Sequence, residues 1–293
     1  MTPHHMHFTA ITDATKSPAI RQAAGPVAVI IAEDDAALVE TIAHHKKAGF
    51  RTVILVAPTD LIIPESIPQN VIRIDHPTRG PGLTQTIVNA IIPALPDKTW
   101  VFYGYNAEFL FYPFAETRSI GEMLAFHAEE RRFGMLTYVV DVYAGDLKSA
   151  PNAVSLDDAM LDRSGYYALA RKTPDGTAID RQLDFFGGLR WRFEEHIPQD
   201  RRRIDRIALV RCEKGLTLRD DHTWSIEEHN TYACPWHHNL TAAIVSFRTA
   251  KALKTNPASR YEIDTFRWHN STAFEWHSRQ LLDLGLMEPG QWF

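Results

Sequence analysis

Cysteine is scarce in this sequence, with 2 in 293 residues, Cys212 and Cys234. That number excludes a disulfide framework, and without a repeated Cys-x-x-Cys pair it excludes a structural zinc ribbon or finger. Long apolar runs are missing as well. No stretch approaches the ~18 uninterrupted apolar residues of a membrane span, and the opening "MTPHHMHFTAITDATKSPAIRQAAGP" has no apolar signal core. A cytoplasmic protein without a transmembrane segment is expected, with residues 1–25 flexible and peripheral membrane contact left open. Positive charge is not in excess: 31 Lys and Arg against 36 Asp and Glu give a net charge of -5. Nucleic acid is therefore not an expected partner, despite the run Arg201-Arg202-Arg203. A glycine-rich turn after the first strand is also absent. "IIAEDDAAL" puts Glu33, Asp34 and Asp35 where a dinucleotide's pyrophosphate would approach, which places a Rossmann-type oxidoreductase far behind as a reading.

What the sequence does contain is a serial βα pattern. "PVAVIIA" is a continuous β-branched apolar run, as a parallel strand buried on both faces would be. "EDDAALVETIAHHKKAGF" reads as a helix with acids at its start and Lys46 and Lys47 near its end. "RTVILVAPTD" is a second strand with Asp60 just past it, and "NVIRIDHP", "GLTQTIVNAIIPAL" and "TWVFYGY" continue the alternation. "SIGEMLAFHAEERRFG" predicts a helix with a capping box, Ser119 with Glu122. "MLTYVVDVY" predicts a strand ending in Asp141. Residues 144–181 read as loop-rich, "LDFFGGLRWRF" as a strand or hairpin turning at Gly187-Gly188, and "RIALVRC" as a strand. "NLTAAIVSFRTAKALK" and "TAFEWHSRQLLDLGLM" read as late helices. In open α/β sheets ligands collect beyond the carboxyl ends of strands, so Glu33, Asp34, Asp60, Glu108 and Asp141 are candidates for one crevice.

In "VFYGYNAEFLFYP" a strand breaks at a small polar interruption before Glu108. That stretch, the helix residues Glu40, His45 and Gly49, "VVDVY", "FFGGLRWRF", "RIALVR" followed by "DDH", and the ending "STAFEWHSRQLLDLGLMEPGQW" together carry a resemblance. From about Val27 onward the chain resembles the family-2-like glycosyltransferases of the GT-A fold, in particular bacterial proteins with a "DADEFL" strand end. The resemblance implies a GT-A-like, Rossmann-like fold: a mostly parallel central sheet with helices on both faces and a C-terminal helical or hairpin extension. It implies one domain over 26–293, with a nucleotide-sugar half at about 26–145 and an acceptor half at about 146–293. The implied activity is sugar transfer from a nucleotide-sugar to a glycan or lipid-linked acceptor. A catalytically inactive GT-A scaffold acting as a binding protein is the alternative.

Against "DADEFL", Tyr105 and Ala107 stand where the aspartates of the metal-binding DxD motif would be, and only Glu108, Phe109 and Leu110 are kept. GT-A enzymes generally neutralise the departing diphosphate with Mn²⁺ or Mg²⁺. Tyr and Ala offer no carboxylate, so a divalent metal is doubtful here. By resemblance, Glu33, Asp34, Asp60, Tyr105 and Asn106 border the nucleotide-sugar, and Glu108 and His222 are what remains for a metal. Asp141 and Glu108 are the candidate catalytic carboxylates. The alternation in "LRWRF" predicts Arg190 and Arg192 on one strand face, where their planar forks could meet a diphosphate in place of the cation. "CPWHHN" sets Cys234 beside imidazoles, with the family's histidine position falling on Trp236 or His237; without a second ligand pair this is a poor zinc site.

Overall fold

In the computed structural model, residues 6–68, 70–234 and 238–292 are described. The chain opens with β1 (Met6–Phe8), α1 (Ile11–Ala14) and α2 (Pro18–Arg21), so part of the segment expected to be flexible carries regular structure. The predicted βα series follows: β2 (Val27–Ile31), α3 (Leu38–Ala48), β3 (Thr52–Ala57), β4 (Val71–Asp75), α4 (Leu83–Ile91) and β5 (Trp100–Tyr105). Every residue of β2 is buried, as its unbroken apolar run requires. Each Val or Ile so buried contributes about 1.5–3 kcal/mol. β6 (Glu108–Phe111) comes after a sharp break at Ala107, whose backbone is left-handed at φ 59. α5 (Ile120–Glu129) starts with the expected capping box, Glu122 N donating to Ser119 Oγ and Ser119 N donating to Glu122 Oε2.

The second half departs more from expectation. β7 (Gly134–Ala144) runs three residues past Asp141, which is therefore not a strand-end residue. The loop-rich stretch contains β8 (Ala159–Asp162), β9 (Tyr167–Lys172) and the start of β10 (Ala178–Phe186). The hairpin turn lies at Pro174-Asp175-Gly176, closed by Gly176 N donating to Thr173 O, and not at Gly187-Gly188. After β10 the chain forms α6 (Leu189–Arg192), a single helical turn entered from Gly188, so Arg190 and Arg192 do not share a strand face. β11 (Asp205–Arg211) is as predicted. "NLTAAIVSFRTAKALK" splits into β12 (Ala242–Ser246) and α7 (Arg248–Thr255), and the last predicted helix splits into β13 (Ser271–Ala273) and α8 (Ser278–Asp283). The fold is α/β with mixed pairing, and its core strands are mostly parallel.

The chain folds as two compact units. The first takes in Met1–Ala107, Arg118–Met135 and Ile207–Thr231. In it β1, β4, β3, β2 and β5 lie side by side in parallel, and β11 adds antiparallel to β5. Ile31 is in register with both Val56 and Tyr105, so the residues that follow β2, β3 and β5 leave the sheet at one end. The second unit takes in Glu108–Thr117, Leu136–Arg206 and Tyr232–Phe293. There β12 pairs parallel to β7 and antiparallel to β6, while β8 joins β7 and β13 antiparallel. No helix among the described residues is long and apolar enough to cross a membrane.

Candidate functional site

The first unit gathers several sequence candidates at the carboxyl ends of its strands. Asn106, fully buried after β5, accepts from Glu33 N at 2.8 Å and donates through Nδ2 to Asp34 Oδ1 at 2.6 Å and Ala36 O at 3.0 Å. One amide thus holds three points of the loop between β2 and α3. Thr78 fixes the same end of β2 by donating to Ala32 O at 2.7 Å. Asp34 stays partly exposed, its outer oxygen 3.7 Å from the exposed Arg79 guanidinium. Tyr105 turns its ring into the core, and its hydroxyl meets Thr84 Oγ1 at 2.5 Å. The loop therefore presents backbone and acidic groups on a rigid frame, which suits ribose hydroxyls and base edges.

Asp60 is exposed in the turn closed by Leu61 N donating to Pro58 O, at the same end of the sheet. His222 lies in a different loop, with left-handed backbone (φ 61) and its N–H donating to Arg219 O. That loop leans on α4, where Asn89 exchanges hydrogen bonds with both backbone groups of Leu218. A cavity of about 430 Å³ opens at the opposite ends of β2 and β5, lined in part by Pro26, Asp97, Lys98, Trp100 and Arg211. None of the candidates lines it, and the strand-end loops are the better site on chemical grounds.

The second unit holds the remaining candidates in buried ion pairs. Glu108 is 1% exposed and accepts from Arg206 Nη2 at 2.7 Å and Ser246 Oγ at 3.2 Å. Asp141 has a fully buried carboxylate 3.5 Å from Arg190 Nε. Burial pushes its pKa up from the ordinary carboxylate value, and the Arg190 charge offsets this only in part. Arg192 grips Asp162 through Nη1 at 3.0 and 3.1 Å and donates through Nη2 to Phe266 O at 2.7 Å. Asp162 also accepts on Oδ1 from Tyr143 at 2.6 Å and Trp268 Nε1 at 2.7 Å.

No family model matches the chain, and no curated protein matches it. Function therefore has to be argued from the geometry of the site.

Several of these partners escape sequence reasoning. Arg206 and Ser246 stand 98 and 138 residues from Glu108, and Asp162 is read as part of a loop. At Gly188 the backbone takes φ 61, which favours glycine, and an added Cβ would stand a tight 3.2 Å from Asp141 Oδ2. Trp236 and His237 lie outside the described residues. Cys234 is a free thiol, and His238 pairs with Glu288 at 3.3 Å. Among the described residues no three His, Cys, Asp or Glu side chains gather as a metal shell.

Proposed function

We propose that the protein is glycosyltransferase-like, of GT-A type, and that its first unit takes a nucleotide-sugar donor at the carboxyl ends of β2, β3 and β5. The observation that carries this reading is Asn106 clamping the Glu33–Ala36 loop, which prepares an acidic, rigid edge where such folds receive a nucleotide. A glycan or lipid-linked molecule is the acceptor. The donor set does not fit Mn²⁺ or Mg²⁺. Tyr105 is a phenol bonded to Thr84, Ala107 has no ligand atom, and Glu108 is engaged by Arg206 and Ser246. Transfer therefore proceeds without a divalent ion. Calorimetry with a set of nucleoside diphosphate sugars, with and without EDTA, tests this. Binding that survives EDTA supports it, and silence toward every donor sinks it.

A second reading is favoured by Asp141. A general base must reach the acceptor hydroxyl, and this carboxylate is fully buried against Arg190. On that reading the chain binds a nucleotide-sugar without turning it over. Nucleotide release measured over long incubation separates the two: steady release supports transfer, and binding without release supports the inactive scaffold.

A further inference from the structure

The helical turn α6 has its polarity inverted. Arg190 and Arg192, which would ordinarily reach into water, are 17% and 11% exposed and face the buried Asp141 and Asp162. Between them Trp191, the residue expected inside, is 40% exposed. Two guanidinium groups are desolvated on either side of an indole that is turned outward. Surface arginines with an inward tryptophan would have been the cheaper arrangement, since buried ion pairs seldom recover their full desolvation cost.

The outward ring is also held still. Trp191 meets Trp268 edge-on at 6.3 Å between centroids. Trp268 is itself fixed by its bond to Asp162 and by the Arg192 guanidinium 4.7 Å from its ring. Gly165 lies beneath Trp191, where a Cβ would come within 2.9 Å of the indole. Two residues on from Gly165, Tyr167, 41% exposed, stacks on Phe186 at 5.4 Å and 17°. The segment after Phe186 passes close to the one that leads from Gly165 to Tyr167: a Cβ at Gly187 would lie 2.7 Å from Gly165 O. Polar groups border them, with Asn270 Nδ2 donating to Ser164 Oγ at 2.7 Å.

We propose that Trp191 and Tyr167 form a stacking platform for a sugar ring of a glycan. A pyranose has an apolar face of axial C–H groups and a rim of hydroxyls. The first suits a fixed aromatic surface and the second suits neighbouring amide and hydroxyl groups. Aromatic side chains held in advance lose little freedom on binding, which matters for a weak ligand. A lipid surface is a poorer match, because a chain of net charge -5 offers little attraction to anionic headgroups. The platform names the acceptor class within the reading above and so rests on it, but it is tested by binding alone, without nucleotide. A protein silent toward nucleotide-sugars can still pass.

The experiment uses the full chain with maltotetraose, cellotetraose and chitotetraose, followed by tryptophan fluorescence and saturation-transfer NMR. At least one tetramer is expected to bind in the millimolar range, with saturation transferred to ring C–H protons. Trp191→Ala should weaken it about tenfold or more and Trp191→Phe less than about threefold. Tyr261→Ala, at an aromatic 77% exposed with the Arg260 guanidinium over its ring at 4.4 Å, should leave binding unchanged. Tyr167→Ala gives a second route if Trp191→Ala melts early, and should also weaken binding. The proposal is overturned if no tetramer binds up to about 10 mM or if both platform variants bind like the parent. It also falls if the sugars are silent and Trp191→Ala instead abolishes adsorption to phosphatidylglycerol vesicles.

Discussion

Arg206 Nη2 donates to Glu108 Oε2 across 2.7 Å, in a pair whose carboxylate is 1% exposed. A carboxylate held this way is a structural ion-pair partner. Removing the arginine takes a charged partner at 2.7 Å away from a buried carboxylate. Arg206→Ala should therefore cost about 3–5 kcal/mol, whereas Glu108→Gln, which keeps the shape and removes the charge, should cost less. Urea denaturation of the two variants checks the order; equal, small losses would mean that Glu108 does not depend on Arg206.

Asn106 ties β5 to the loop after β2 by three hydrogen bonds. Asn106→Ala should lower stability by about 1–3 kcal/mol, because Glu33 N and Ala36 O lose a buried partner. Asn106→Asp should be worse at neutral pH, since its carboxylate would face Asp34 where an amide now donates. Nucleotide binding should weaken in both while EDTA changes nothing in the parent. A variant with unaltered donor affinity would remove this loop from the site.

The parts legible in the sequence are those whose signal is local. β2, β3 and β5 are unbroken β-branched or aromatic runs, and α5 announces itself through Ser119 and Glu122. β12 is not distinguishable from helix in the sequence, because "AAIVS" is a short apolar run with no distinguishing period and flows directly into α7. α6 reads as strand because four residues are too few to show helical spacing, and Arg190-Trp191-Arg192 has the pattern of alternation. Asn106 is a candidate by resemblance, and its clamp on the Glu33–Ala36 loop is visible only in three dimensions. The burial of Asp141 and the Arg206–Glu108 pair depend on contacts between segments far apart in sequence, which no local pattern records.

Asp141 sets a pH dependence. Its proton affinity is raised in the folded state by burial, so the folded protein holds this proton to higher pH than the unfolded chain does. The group therefore favours the folded state at low pH, and this contribution is lost as pH rises above the ordinary carboxylate range near 4. Asp141→Asn removes the ionisation and should gain stability relative to the parent as pH rises. Chemical melts at several pH values would show it. A difference that is constant with pH would mean that Arg190 fully offsets the burial.

His127 works in the opposite sense. It is buried, donates through Nε2 to Gly134 O at 3.0 Å, and burial lowers its pKa to about 4. The unfolded chain binds the proton more readily, so stability present above about 6.5 is lost as pH falls toward 4, by up to about 3 kcal/mol. His127→Gln keeps a donor and cannot protonate. It should flatten the acid slope in that window, and an unchanged slope would assign the loss to other groups, His229 among them.

Arg192 is the sharpest test of what the arginines after Gly188 do. On the sequence it is a phosphate ligand; in the fold its fork spans both oxygens of Asp162, reaches Phe266 O and lies against Trp268. A lysine ammonium carries the same charge but cannot reproduce that planar set of contacts. Arg192→Lys should therefore destabilise the protein by about 1–3 kcal/mol and leave nucleotide-sugar affinity within about threefold of the parent. Calorimetry well below the melting temperature and urea denaturation give the two readouts separately. If stability is unchanged and donor affinity drops more than about tenfold, Arg192 leaves Asp162 to bind the diphosphate, and the cation-substitute role expected from the sequence is restored.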